Sequence, residues 1–233
     1  MAIKRTASLL IFLFAVCLLH AQKPRYELVN VVYLSKVDSA IMEYAYPVFS
    51  GFENKTKEER LNKQISSMVL PDSAVLDKLE LLKKLPEGKL ANHQLLTVDV
   101  TYMDDIIICL QTRIRQTSSS MPGAVGDMYY DTYSIASGNE YFLNNLFTSG
   151  IDEAVFNKYK DLLIASHTEW EHYKEHVVGF GLISSPDNKS ITLQVLVNSL
   201  YSQEGPMPLE LSMEEFMPYL NQNGPLYKAI HQK

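Results

Sequence analysis

The chain has 233 residues, 46% of them hydrophobic, with 27 acidic side chains against 21 basic ones and a formal charge of −6. That apolar content fills one substantial core or two small coupled ones. The acidic balance, with no clustered run of Lys and Arg, excludes nucleic acid as a partner, because neutralising phosphates needs concentrated positive charge.

The first segment reads as a secretory signal peptide. Lys4 and Arg5 open it, Leu9 to Leu19 form an apolar run, and Ala21 is a small residue at the cleavage position, so residues 1–21 are expected to be removed. The run is shorter than the ~20 residues a membrane span needs. The expectation is therefore an exported, periplasmic or extracellular chain with no membrane span after cleavage. Loss of Lys4 and Arg5 takes the formal charge to −8, which favours a basic partner. Cys109 is then the single cysteine. Set in the run Ile106 to Leu110, it reads as a buried, inert thiol.

Alternating residues predict strands over Tyr26 to Tyr33 and Ser39 to Phe49, with Pro47 suited to an edge or strand end. Thr56 and Glu59 fit a capping box opening a helix that buries Leu61, Ile65, Met68 and Val69. Pro71-Asp72 restarts the chain as a second helix with Val75, Leu76, Leu79 and Leu82 inside, stopped at Pro86-Glu87-Gly88. A hairpin follows, Gln94 to Tyr102 and Ile106 to Arg115, turned at Met103-Asp104-Asp105. Ile106, Ile108, Leu110, Thr112 and Ile114 share one face of its second strand, and Gln111, Arg113 and Arg115 the other, as in an antiparallel sheet with one wet side. Ser118 to Gly126 reads as a loop and Tyr129 to Ala136 as a strand. Asp152 is placed as the cap of a helix running to about Glu175. Val177 to Ser184 and Ser190 to Leu200 form a last hairpin, Gln203 to Pro208 a connection, and Ser212 with Glu215 a second capping box. Helices and antiparallel hairpins without regular βαβ alternation predict an α+β fold of several helices packed on hairpins. Two coupled subdomains are expected, over residues 22–115 and 116–233.

Several short motifs recur together. Tyr46-Pro47-Val48-Phe49 precedes Leu61-Asn62 and Ile65; Pro122-Gly123-Ala124-Val125-Gly126 is followed by Tyr129 to Ala136, Ser137-Gly138-Asn139 and Leu143-Asn144-Asn145-Leu146-Phe147. In order and spacing they resemble the paired extracytoplasmic domain of lysozyme-sensing anti-sigma factors, found also in front of some peptidoglycan deacetylases. The stretch Leu211 to Ile230 is similar to that domain's closing helix. Two positions depart from the family: Val125 stands where its loop carries histidine, and Asn145 where it carries an acidic residue. The resemblance implies a non-catalytic binding module of the bacterial cell envelope, without a cofactor, whose ligand is a cell-wall glycan or a protein such as lysozyme. Gly123, Gly126, Gly138, Leu143, Leu146 and Phe147 read as architecture, being glycines at turns and apolar residues beside them. Ligand contact then falls to exposed polar and aromatic groups, Asp127, Tyr129, Tyr130 and Asn144, tyrosine combining a flat apolar ring with a hydroxyl.

One other cluster carries chemistry. His167, His172 and His176 lie among Glu169, Glu171 and Glu175, and His172-Tyr173-Lys174-Glu175-His176 matches the inverted zinc-peptidase pattern. On a helix, His172 and His176 sit one turn apart, with Glu175 as base, and a third ligand such as Glu204 or Glu210 has to come from elsewhere. A zinc-dependent hydrolase is thus the alternative to the binding module. The competing reading is a charged helix end with histidines favoured by the dipole.

Overall fold

The computed structural model describes residues 25–84, 86, 92–118, 121–166, 168–185, 190–198 and 205–231. The expected signal peptide lies outside the described residues. Two strands open the fold, β1 (Arg25–Ser35) and β2 (Ile41–Ser50), paired antiparallel from Arg25 with Ser50 to Leu34 with Ile41. Then come α1 (Lys55–Val69), the single turn α2 (Ser73–Leu76) and β3 (Leu79–Leu82). The long strands β4 (Asn92–Met103), β5 (Ile107–Ser118) and β6 (Met121–Ser134) form an antiparallel meander. Four helices follow: α3 (Leu143–Leu146), α4 (Gly150–Lys158), α5 (Lys160–Ala165) and α6 (Trp170–His176). Strands β7 (Val177–Ser184), β8 (Ile191–Val197) and β9 (Met207–Ser212) precede α7 (Met213–Phe216), a 3-10 turn over Met217–Tyr219, and α8 (Pro225–His231).

The strands make two sheets, a six-stranded one in the order β3-β1-β2-β4-β5-β6 and a three-stranded one in the order β7-β8-β9. The fold is α+β. The large sheet is mixed, because β2 and β4 run parallel from Ile41 with His93 to Ala45 with Thr97. A parallel pair needs a crossover, and the connection here carries α1, α2 and β3. Pro47 lies just past the last residue of β2 that pairs with β4, where its missing N–H leaves no gap in the ladder.

Each face of the large sheet is covered. On one side, Leu61, Ile65 and Val69 of α1 meet Tyr44, Phe49, Leu96, Val98, Ile108, Leu110 and Tyr133. On the other, Ile107, Cys109 and Tyr130 join a core built with β7–β9 and the carboxy-terminal helices, including Leu146, Phe147, Leu163, Tyr173, Leu193 and Phe216. Ile107, Ile108, Cys109 and Leu110 are therefore all fully buried. This continuous apolar run marks a strand sandwiched on both faces, and the expected wet face of β5 begins only at Arg113. The expected subdomain boundary at 115/116 falls inside β5, which pairs with β6 from Ile107 with Ser134 to Ser118 with Met121.

Several local expectations are corrected. The cap of α1 is Asn54, whose side chain accepts from the Lys57 N–H, in place of Thr56; Glu58 instead accepts from the Phe52 N–H at 3.0 Å. The second helix stops after one turn capped by Asp72, and Leu79–Leu82 become a strand on the edge of β1, leaving Val75 exposed. Pairing to an open sheet edge outweighs helix propensity over so short a segment. The stretch expected as a loop before Tyr129 is strand from Met121 onward. The helix expected from Asp152 to Glu175 is three helices, and its cap position is Ser149, with Asp152 in the first turn. Strand β9 replaces the expected connection over Met207–Pro208 and pairs with β8 from Met207 with Val197 to Ser212 with Thr192. The capping box of Ser212 and Glu215 is present, Glu215 accepting from the Ser212 N–H at 2.7 Å.

Candidate functional site

Alternation along β5 places Cys109, Gln111, Arg113 and Arg115 on one face, the face that looks toward the small sheet. Opposite them on β6 stand Thr132, Tyr130, Met128 and Gly126. Near its middle this face is closed by polar contacts between the sheets. Gln111 donates to the Tyr130 hydroxyl, which donates to the Gln194 side-chain oxygen on β8; the Gln194 amide then donates to Glu210 on β9 at 2.8 Å. The Tyr130 ring lies flat against β7, where a Cβ on Gly181 would come within 2.2 Å of ring carbon Cδ1. Cys109 is sealed beneath, accepting from the Leu182 N–H and the Thr132 hydroxyl at 3.3 Å each. Burial pushes its thiol pKa up, so it is held as the neutral, unreactive form.

Beyond Tyr130 the two layers part and leave a cleft of about 440 Å³. Its floor is Arg113, Arg115, Gly126 and Met128, and its other wall is Gly205-Pro206-Met207-Pro208 at the start of β9. The closed end is set by backbone meeting backbone. Gly205 has φ of +95°, and a Cβ there would fall 2.6 Å from the Gly126 carbonyl oxygen, so only glycine fits. Arg113 is ion-paired with Asp99 on β4. Arg115 stands across from Leu95 and Gly126, and no ion pair joins it to another described residue.

The four residues singled out for ligand contact separate. Asp127 is exposed and borders this cleft from the edge strand β6. Tyr129 is half-buried on the opposite face, paired across to Thr112, and desolvation raises its hydroxyl pKa. Tyr130 is 6% exposed and spent on the contact between the sheets. Asn144 lines a second cleft of about 480 Å³ with Phe142, Thr148, Ser149, Asp152 and Lys174. The architectural set has clear local duties. Gly138, at φ +71°, lets the Arg60 guanidinium of α1 lie over the turn and donate to the Ala136 carbonyl at 3.0 Å. Leu146 and Phe147 are buried, Phe147 edge-on to Phe216 at 5.7 Å, and Leu143 packs beside them. Gly126 makes its close approach within β6, and Gly123 lies in the same strand. Asn145 accepts from the Phe142 N–H at 2.7 Å, closing the first turn of α3.

The histidine cluster is differently placed. His167 lies outside the described residues, as does Glu204. His172 and His176 sit on α6, whose buried residue is Tyr173, and the His172 and Glu175 side chains are 59% and 76% exposed. Glu210 is held by Gln194. Among the described residues no group of three or more His, Cys, Asp or Glu side chains is placed to hold a metal ion. Nor, among them, is any helix long and apolar enough to cross a membrane.

The cleft's arginines were visible in the sequence only as the polar side of a strand. The usable signal was their spacing: two cations at i and i+2 must share a strand face. The Gly205-Pro206 wall had no such signal, because its pairing partner lies some eighty residues upstream at Gly126.

No family model matches the chain, and no curated protein sequence matches it. Among solved structures, a DUF3298 family protein from Bacteroides fragilis is similar with a TM-score of 0.54 at 11% identity, over 91% of this chain and 98% of that one. A DUF3298 family protein from Pseudomonas aeruginosa is similar with a TM-score of 0.47 at 10% identity, over 87% of this chain and 96% of that one. At these identities the likeness is one of fold alone, and the Bacteroides structure carries it.

Proposed function

We propose that the chain is an exported, non-catalytic binding module of the cell envelope that holds a cell-wall glycan in the cleft between β5–β6 and the start of β9. The export signal over residues 1–21 and the resemblance to envelope sensor domains motivate the setting. The observation that supports the cleft is its chemistry. Its positive groups are the guanidinium ions of Arg113 and Arg115, which act by charge and by hydrogen bonds they donate. Met128, Pro206, Met207 and Pro208 supply apolar walls against which a sugar ring can lie. Asp127 borders the cleft from β6. The positive charge of Arg115, which no ion pair joins to another described residue, favours an anionic wall polymer at this cleft, against the chain's overall negative charge, which would favour a basic protein such as lysozyme.

Co-sedimentation of the mature chain with purified cell-wall sacculi tests this reading. Retention on sacculi, with no complex with lysozyme by gel filtration at physiological salt, is the expected result. Failure to sediment with sacculi contradicts it, and a stable lysozyme complex in its place would move the ligand to the protein class.

A further inference from the structure

We infer that the cleft beside Arg115 is a carboxylate-binding site, and that its ligand class is an amino sugar bearing an acid side chain; this deepens the glycan reading and rests on it. Two guanidinium groups stand on one face of β5 at positions 113 and 115. Like charges so close repel unless each is answered. Arg113 is answered by Asp99. Arg115 has no ion pair with another described residue: its cross-strand neighbours are Leu95 on one side and Gly126 on the other, neither able to accept a hydrogen bond through a side chain. The nearest acid in sequence on β6, Asp127, borders the same cleft, but no ion pair joins it to Arg115. Among the described residues one positive charge is thus left without an ion pair, in a chain whose formal charge is −6.

The position of this charge matters as much as its sign. Gly126 puts no side chain across from Arg115, and Gly205 approaches the Gly126 carbonyl at a distance no other residue allows. Arg115 is exposed and lines a recess that Met128 and the two prolines flank. Apolar walls displace water and strengthen a charge–charge contact. A planar guanidinium meets a carboxylate through two parallel N–H···O bonds, a geometry that lysine lacks. The recess, about 440 Å³ in volume, is of a size for a single substituted sugar. The carboxylate meets Arg115 and the ring rests against Met128 and Met207.

Titration of the mature chain with N-acetylmuramic acid and with N-acetylglucosamine decides it, since the two sugars differ by the acid-bearing ether. The readout is the backbone amide signals of Gly126 and Gly205 by NMR. Muramic acid is expected to shift both, at least tenfold more tightly than glucosamine, with the advantage shrinking as salt rises. Arg115→Gln is expected to abolish the difference and Arg115→Lys to restore only part of it. Inorganic phosphate matching the muramic acid affinity would overturn the carboxylate assignment in favour of a general anion site. Equal affinity for the two sugars, or discrimination that survives in Arg115→Gln, would overturn the inference while sacculus binding still stood. Loss of sacculus binding by the native chain would instead bring down the glycan reading itself.

Discussion

What position 145 must supply is a side-chain acceptor at the start of α3. The Asn145 side-chain oxygen accepts from the Phe142 N–H, an amide that α3 cannot satisfy internally. A carboxylate oxygen makes the same bond. Asn145→Asp should therefore leave stability in urea unchanged, and Asn145→Ala should lower it by ~1 kcal/mol. Asp131 offers a second test at this scale. Its Oδ2 is buried without a hydrogen-bond partner, and desolvation, then the nearby Glu140, raises its pKa to about 6. The folded value lies above the unfolded one of about 3.9. The carboxyl's favourable contribution is thus full below pH ~3.9 and lost as pH rises through about 6. Asp131→Asn should flatten the stability profile between pH 4 and 7 and raise stability at pH 7, by on the order of 1 kcal/mol once solvent screening of the partly exposed group is allowed for. An unchanged profile in urea melts across that range would contradict this account.

Between elements, the decisive contact is that of the two sheets through Tyr130. Its hydroxyl stands between Gln111 and Gln194, and its ring fills the space left by Gly181. Tyr130→Phe removes one hydrogen bond from each glutamine, leaving the buried Gln194 oxygen without this donor, and should cost ~1–3 kcal/mol. Gly181→Ala drives a methyl into the ring and should cost a similar amount. Both are read by chemical denaturation. Tyr130 also shows where sequence reading ends. Period-two alternation was enough to find β5, β7, β8 and the second half of β6, and the capping box at Ser212 was enough to find α7. Alternation does not say which face another sheet will cover, so a buried tyrosine and an exposed one look alike. The same holds for Leu79–Leu82, whose strand state depends on the free edge of β1. Strand β9 was legible in principle, since Met207, Leu209 and Leu211 alternate with Pro208, Glu210 and Ser212, but Pro206 and Pro208 read as a connection. The cleft was not legible, because it exists only where two segments distant in sequence diverge in space.

Over the whole molecule, function is assigned to the place where the layers separate. The large sheet is held by α1 on one face and by the small sheet with its helices on the other, so its interior is committed to packing. Exposed binding groups are left to the far ends of β5 and β6 and to the loops between helices, as in the second cleft beside Asn144. Charge distribution at this scale predicts a salt effect. A ligand held through Arg115 should bind more weakly as ionic strength rises from 50 to 500 mM, whereas a ligand held by apolar walls alone should not. Hydrogen–deuterium exchange of the mature chain with soluble wall fragments is the most direct test of the central claim. Protection concentrated in residues 113–115, 126–128 and 205–208 is the predicted result. Protection confined to the Phe142–Asp152 cleft or to α6, with those three segments unchanged, would contradict it.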